Sequence, residues 1–221
     1  MRLRGARAKS KVNPSGTPPC ERTPIELPEP ALIAAALANV TRCGMRPWGT
    51  HGLAHWWRVR HNGLSIARAM GANPSVVRLF AIFHDSHRHD DGHDPDHGPR
   101  AAEWLREVRL SRDSAYGACA LTRATIIGLT ETDFESLCTA CALHTSAIHH
   151  VDASVAACFV ADRLDLSRVG YRPDPNRMPA PRHVIDEQAI NAAIDRERRG
   201  LEWIGGREIE QVWGVSVPKR S

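Results

Sequence analysis

Residues 73–85 read NPSVVRLFAIFHD, and this run carries a helix beginning, body and end. Asn73 is a side-chain acceptor placed to cap a helix, and Pro74 suits a first turn, where its missing N–H has no partner to lose. Val76, Phe80 and His84 recur at four-residue spacing and share one stripe. The pattern predicts a buried helix that carries His84 and Asp85 inward at its end. A buried imidazole or carboxylate without a partner is costly, so other polar groups must converge on this pair.

Helical patterning continues on both sides. EPALIAAALANVTR (29–42) is Ala/Leu-rich and predicts a first helix. PWGTHGLAHWWRVRHNGLSIARAMG (47–71) predicts a second, with Thr50 as N-cap and Gly71 as stop. On it His51, His55, Val59, Asn62 and Ile66 fall on one face, which turns His55 towards the core. After the loop SHRHDDGHDPDHG (86–98), helical spacing resumes in HGPRAAEWLREVRL (97–110), with His97 at its start, and in RDSAYGACALTRATIIGL (112–129). Thr130 and Asp133 form a capping-box-like start for the helix that delivers His144. Asp152 caps DASVAACFVADRLDLSRVG (152–170), on which Cys158 and Asp162 are one turn apart. A Pro-rich loop (171–183) and a last helix over 184–200 follow. No Asn-Gly or Asp-Gly hairpin lies between alternating runs. The expected fold is all-α: a basic, Pro-containing disordered tail (1–30), one helical domain (31–204) and an irregular C-terminal segment (205–221).

Composition narrows the class. In residues 1–22, Arg2, Arg4, Arg7, Lys9, Lys11 and Arg22 oppose Glu21 alone, so the formal net charge of +4 sits in the tail and the remainder is near neutral. A basic arm can touch nucleic acid or anionic lipid, but the folded part has no matching basic excess, which argues against nucleic acid as partner. No apolar stretch has the length of a membrane span, and the N-terminal stretch lacks the apolar centre of a secretory signal, so the expected location is cytoplasmic. Cys20, Cys43, Cys119, Cys138, Cys141 and Cys158 do not suggest a disulfide framework in such a chain.

Three helices thus aim a metal-capable group inward: His55, the pair His84–Asp85, and Asp162. Four such residues are enough for a coordination sphere, and His97 and His144 could add two more. Five histidines and five aspartates crowd residues 84–97. Of these, His87, His89, His93 and the other aspartates read as solvated groups at the rim. Cys138, Cys141 and His144 have zinc-like spacing, but a fourth ligand would have to come from His149 or His150. Packing explains the two cysteines, and His144 is assigned to the main cluster.

HWWRV with His55 four residues before Val59, FHDS closing an apolar helix, and VADRLDLSRVG together resemble the H…HD…D signature of the HD superfamily of metal-dependent phosphohydrolases, over roughly residues 31–170. The resemblance implies an HD-domain-like helical bundle holding one or two divalent ions (Mn, Fe, Co, Ni, Zn or Mg). It implies His55, His84, Asp85 and Asp162 as the signature ligands, with His97 and His144 as the further histidines of a two-metal centre in which Asp85 bridges. The expected activity is hydrolysis of a phosphate ester, of a nucleotide or small phosphometabolite, by water activated at the metal. Asp85, His97 and Arg163 are the candidate catalytic groups, while Arg58, Arg88, Arg100 and Arg168 are further candidates for gripping phosphate. His51 is either a second support for the site or a satisfied core histidine. The alternative function is a metal-binding, non-catalytic regulatory or scaffold protein of the same fold, recognisable by a metal with no open coordination position. Homo-oligomerisation is left open.

Overall fold

The computed structural model describes residues 27–111, 117–204 and 207–218, and only the backbone of residues 117–119, 121, 201, 203–204 and 207. Among the described residues the chain forms nine α-helices and no strand. They are α1 (Glu29–Arg42), α2 (Leu53–Met70), α3 (Pro74–Phe83), α4 (His97–Leu110), α5 (Gly117–Ile127), α6 (Glu131–Leu143), α7 (Ala153–Arg163), α8 (Glu187–Ile204) and α9 (Arg207–Trp213). No helix among the described residues is long and apolar enough to cross a membrane.

α3 is the hub. Val76, Val77, Leu79, Phe80, Ala81, Ile82 and Phe83 are all fully buried, and a helix apolar all round is stable only when neighbours wrap it. α1, α2, α6 and α7 do so. Each fully buried Phe or Leu contributes about 1.5–3 kcal/mol, so the helix that carries His84 is strongly anchored. Its start follows the predicted cap, with Asn73 Oδ1 accepting from the Ser75 N–H at 2.9 Å.

The two most extensive helix contacts, α2 against α7 and α4 against α6, set the interior geometry. Gly63 lets α2 approach: a Cβ there would stand 2.4 Å from Val77 Cγ1 and 3.1 Å from Ala161 Cβ. Gly98 does the same for α4, where a Cβ would fall 2.3 Å from the Cys141 carbonyl oxygen. The first pair brings His55 towards Asp162, and the second brings His97 towards His144. A small apolar cluster of Ile66, Val160, Leu164, Met178, Ile185, Ile190 and Ala193 fastens α8 and the Pro-rich segment against α2 and α7.

Four expectations from the sequence are corrected. Thr50 is not the cap of α2: the helix begins at Leu53, because successive turns let the Pro47 carbonyl accept from the Leu53 N–H at 2.7 Å. His51 therefore lies in the turn before the helix. The folded body starts earlier than residue 31, since Leu27 and Glu29 are buried; residues 1–26, with Cys20, lie outside the described residues. α7 stops at Arg163, and a separate 3-10 turn covers Leu166–Val169. Finally, Arg207–Trp213 is helical rather than irregular, because Ile209 and Trp213, four residues apart, bury completely against the body. Of the helix expected over 112–129, residues 112–116 lie outside the described residues.

Candidate metal centre

Six metal-capable side chains converge from five helices. His55 sits in the first turn of α2, His84 and Asp85 directly follow α3, and His97 opens α4. His144 directly follows α6, and Asp162 is the penultimate residue of α7. His55 and His84 are fully buried, and Asp85, His97 and His144 nearly so. Two triads result, His55–His84–Asp85 and Asp85–His97–His144, each with its donor atoms mutually within 4.8 Å. Both could hold a metal ion. Asp85 belongs to both: its Oδ2 lies 3.3 Å from His55 Nε2 and 3.5 Å from His84 Nε2, while its Oδ1 lies 2.9 Å from His97 Nε2 and 3.9 Å from His144 Nε2. Asp162 Oδ1 stands beside the first triad, 3.4 Å from His55 Nε2.

The hydrogen bonds on the far side of each ring decide what these atoms are. His55 Nδ1 meets Asp165 Oδ2 at 2.7 Å, His84 Nδ1 meets the Phe80 carbonyl at 3.0 Å, His144 Nδ1 meets the Cys141 carbonyl at 2.8 Å, and His97 Nδ1 meets the Asp94 carbonyl. Carboxylates and carbonyls only accept, so each Nδ1 carries the proton and each neutral ring turns a lone pair on Nε2 inward. Yet His55 Nε2 and His84 Nε2 are 3.0 Å apart, and His97 Nε2 and His144 Nε2 are 2.9 Å apart. Lone pairs so close repel unless a cation lies among them. Burial pushes the His84 imidazole down to about 3 and lowers that of His144 as well, so neither of these two rings supplies it by taking a second proton.

The carboxylates lead to the same conclusion. Burial opposes ionisation of Asp85, and positive charge where the His84, His55 and His97 rings face it holds the carboxyl well below its ordinary range. Burial of Asp162 is likewise outweighed, foremost by Arg168. Asp85 Oδ2 and Asp162 Oδ1 are buried without a hydrogen-bond partner. Charged oxygens and imidazole lone pairs facing each other are the donor set of a divalent ion.

Sequence reading missed the support beneath the first triad. Asp165 is 1% exposed; it accepts from His55 Nδ1–H and forms a fork with Arg58, Nε to Oδ1 at 2.6 Å and Nη2 to Oδ2 at 3.0 Å. Its hydrogen bond with His55, and after it the Arg58 guanidinium, keep its carboxyl below the ordinary range against the effect of burial. A carboxylate that fixes the ring of a ligating histidine is a recurrent partner of metal sites. The signal was present in the sequence: Asp165 follows Asp162 by three residues, and Arg58 follows His55 by three on α2.

The structure redistributes the arginines. Arg58 serves Asp165. Arg100 donates to the His87 carbonyl and to Asp94. Arg163, a candidate catalytic group in the sequence, gives its terminal nitrogens to the carbonyls of Ile148 and Arg177 at 3.1 Å each, and of His144 and Ala147. It clamps the loops around the site, because those carbonyls lie within its reach, and it also lines the cleft that opens onto the donors. Arg88 and Arg168 remain on the centre: Arg168 Nη2 is 3.8 Å from Asp162 Oδ1, and Arg88 Nη1 is 3.5 Å from Asp85 Oδ1.

A cleft of about 670 Å³ opens onto the donors. Asp85, His97, His144 and Asp162 lie in its lining, together with Arg88, Arg168, Arg172, Arg177 and Tyr171. The Pro-rich segment thus forms one wall, whereas the His/Asp loop folds on itself: Asp94 holds the His89 N–H, Asp90 holds the Gly92 N–H, and His89 and His93 are exposed. His51 Nδ1 pairs with Asp91 at 3.1 Å and its ring lines the cleft. Cys138, Cys141 and Cys158 are free and buried, and burial pushes the Cys138 thiol up to about 12. They pack rather than ligate. No protein-family model, curated protein or solved structure matches the chain.

Proposed function

We propose that this chain is a metal-dependent phosphohydrolase of the HD type, cleaving the phosphate ester of a nucleotide or small phosphometabolite in the arginine-lined cleft. The observation that carries the reading is the meeting of four histidine lone pairs and two carboxylates, with Asp85 shared between two triads. His55, His84, Asp85 and Asp162 would hold one divalent ion, and Asp85, His97 and His144 a second. Such ions supply Lewis acidity: they lower the pKa of water and polarise a phosphoryl oxygen. The chain supplies the rest. Asp165 and the backbone carbonyls lock the imidazole tautomers, Arg168 and Arg177 offer the phosphoryl group cationic hydrogen bonds, and the cleft orients the ester over the donors. Asp85, His97, His144 and Asp162 open onto the cleft instead of being sealed, which favours a hydrolase over a non-catalytic metal protein of the same fold.

The test is elemental analysis of the purified protein beside a His84→Ala/Asp85→Ala variant, followed by a phosphate-ester screen with Mn²⁺ or Co²⁺. The reading expects stoichiometric metal and ester hydrolysis in the wild type, both lost in the variant. Metal retained by the variant, or none bound by the wild type after reconstitution, overturns it. Metal without turnover of any ester returns the chain to the non-catalytic alternative.

A further inference from the structure

The two triads are not equivalent, and the difference lies in Arg88. Its guanidinium is fastened by the loop that follows α3: Nη2 donates to the Gly92 carbonyl at 2.7 Å and Nε to the Asp90 carbonyl at 3.1 Å. This leaves Nη1 pushed against the second triad, 3.5 Å from Asp85 Oδ1 and 3.1 and 3.3 Å from the Nδ1 and Nε2 of His97. Nη1 is thus nearly equidistant from both ring nitrogens, over the face of the His97 ring, and sets its charge beside the Nε2 and the Asp85 Oδ1 that a metal would use. At the other site the approach is looser: Arg168 Nη2 stands 3.8 Å from Asp162 Oδ1, and among the described residues Asp85 Oδ2 has no hydrogen-bond partner while His55 Nε2 and His84 Nε2 face each other and carboxylates.

We infer that Arg88 is a built-in cation of the second triad, so that the resting protein binds one divalent ion at His55–His84–Asp85–Asp162 and admits a second at Asp85–His97–His144 only when Arg88 withdraws. An ion bonded to Asp85 and His97 at roughly 2.0–2.2 Å would stand where the Arg88 charge repels it strongly. The guanidinium lines the cleft, so an anionic group entering there draws Arg88 off the triad and opens the second site. Arrival of a phosphoryl group and completion of the metal pair thereby become one event. This inference rests on the metal-centre reading above and adds an order of binding to it.

The experiment uses the full chain freed of metal and titrated with Mn²⁺, read by equilibrium binding and by electron paramagnetic resonance, which separates an isolated ion from an exchange-coupled pair. Wild type should bind one ion tightly and give an uncoupled spectrum, and His144→Ala should leave that ion untouched. Arg88→Gln should bind two ions, the second at least about tenfold more tightly than wild type, with a coupled spectrum. Should Arg88→Gln not fold, inorganic phosphate added to wild type must produce the same second ion. Two equally tight ions in wild type without phosphate overturn the inference, as does a single ion in both Arg88→Gln and phosphate-treated wild type. No Mn²⁺ binding by any protein overturns the metal centre itself, a result distinct from the other two.

Discussion

Asp165 and Arg58 show how a side chain that touches no ligand can govern the centre. Both are almost fully buried, and each neutralises the other while Asp165 fixes the His55 ring. Asp165→Asn leaves the Arg58 charge unpaired, which for a buried pair costs about 3–5 kcal/mol, and it removes the charged acceptor that holds Nδ1–H. Metal affinity should fall about 10- to 100-fold, measured by competition with a chromogenic chelator. Adding Arg58→Met to that variant removes the orphaned charge, so stability in urea should partly recover. Affinity should not, because the ring is still without its carboxylate. Recovery of both together would mean that Asp165 acts only through folding. At this scale the donor types were legible in the sequence, because His55, His84, Asp85 and Asp162 sit at helix positions whose neighbours are apolar. The duties of the arginines were not. Whether Arg163 meets a phosphate or four carbonyls depends on where residues 144–148 and 177 fold, and no local pattern encodes that.

Helices act here as carriers whose separation sets the donor distances. α4 and α6 close to contact at Gly98, and the Cys141 carbonyl that a Cβ would strike is the one that holds His144 Nδ1. Gly98→Ala must therefore part the helices or break that hydrogen bond, at a cost of about 1–3 kcal/mol. It should weaken the ion at the second triad more than the one at the first, a difference readable by Mn²⁺ titration of the variant beside wild type, both in phosphate. α7 depends instead on its cap. Asp152 accepts from the Ser154 N–H at 2.7 Å, the Val155 N–H at 3.0 Å and the Ser136 hydroxyl at 2.7 Å. These bonds outweigh burial and lower its carboxyl from the ordinary value. A depressed folded pKa means that the unfolded chain takes up the proton first as pH falls. The cap's contribution is therefore complete above about pH 4 and is lost as pH drops through the folded value. Asp152→Ala should cost about 1 kcal/mol at pH 7, and less on approaching pH 3, in thermal melts run at both. An equal loss at both pH values would count against an ionised cap. Helix identity was largely legible: the runs 29–42 and 97–110 coincide with α1 and α4. The start of α2 was not, because its first N–H is taken by the Pro47 carbonyl of a turn, a partner with no side-chain signature.

Across the whole molecule, the two ends of the described chain meet at Glu29. This carboxylate, 1% exposed, accepts from Arg60 on α2 at 2.9 and 3.1 Å, Arg78 on α3 at 2.5 Å and Trp213 Nε1 on α9 at 2.6 Å. The Trp213 ring packs edge-on against Trp57, 4.9 Å between centroids, so these contacts join the buried Ile209 in sealing α9. That is why Arg207–Trp213 is helical, and why its short pattern looked irregular in the sequence: the partner of Trp213 lies 184 positions away. Glu29→Ala strands two arginines, but both side chains are partly exposed, 14% and 21%, and can turn to water. The loss should thus fall near about 3 kcal/mol, the low end of the range for a broken buried pair. Amide exchange should accelerate first in α9 and the start of α1, where the hub is the main tie, with α3 retaining its protection. The ion at His55–His84–Asp85–Asp162 should bind with unchanged affinity, since α3 is anchored by its own apolar surroundings and carries no load from α9. If Glu29→Ala releases the metal while α3 stays protected, the terminal hub and the centre are coupled through α2, and Arg60 on that helix becomes the route to examine.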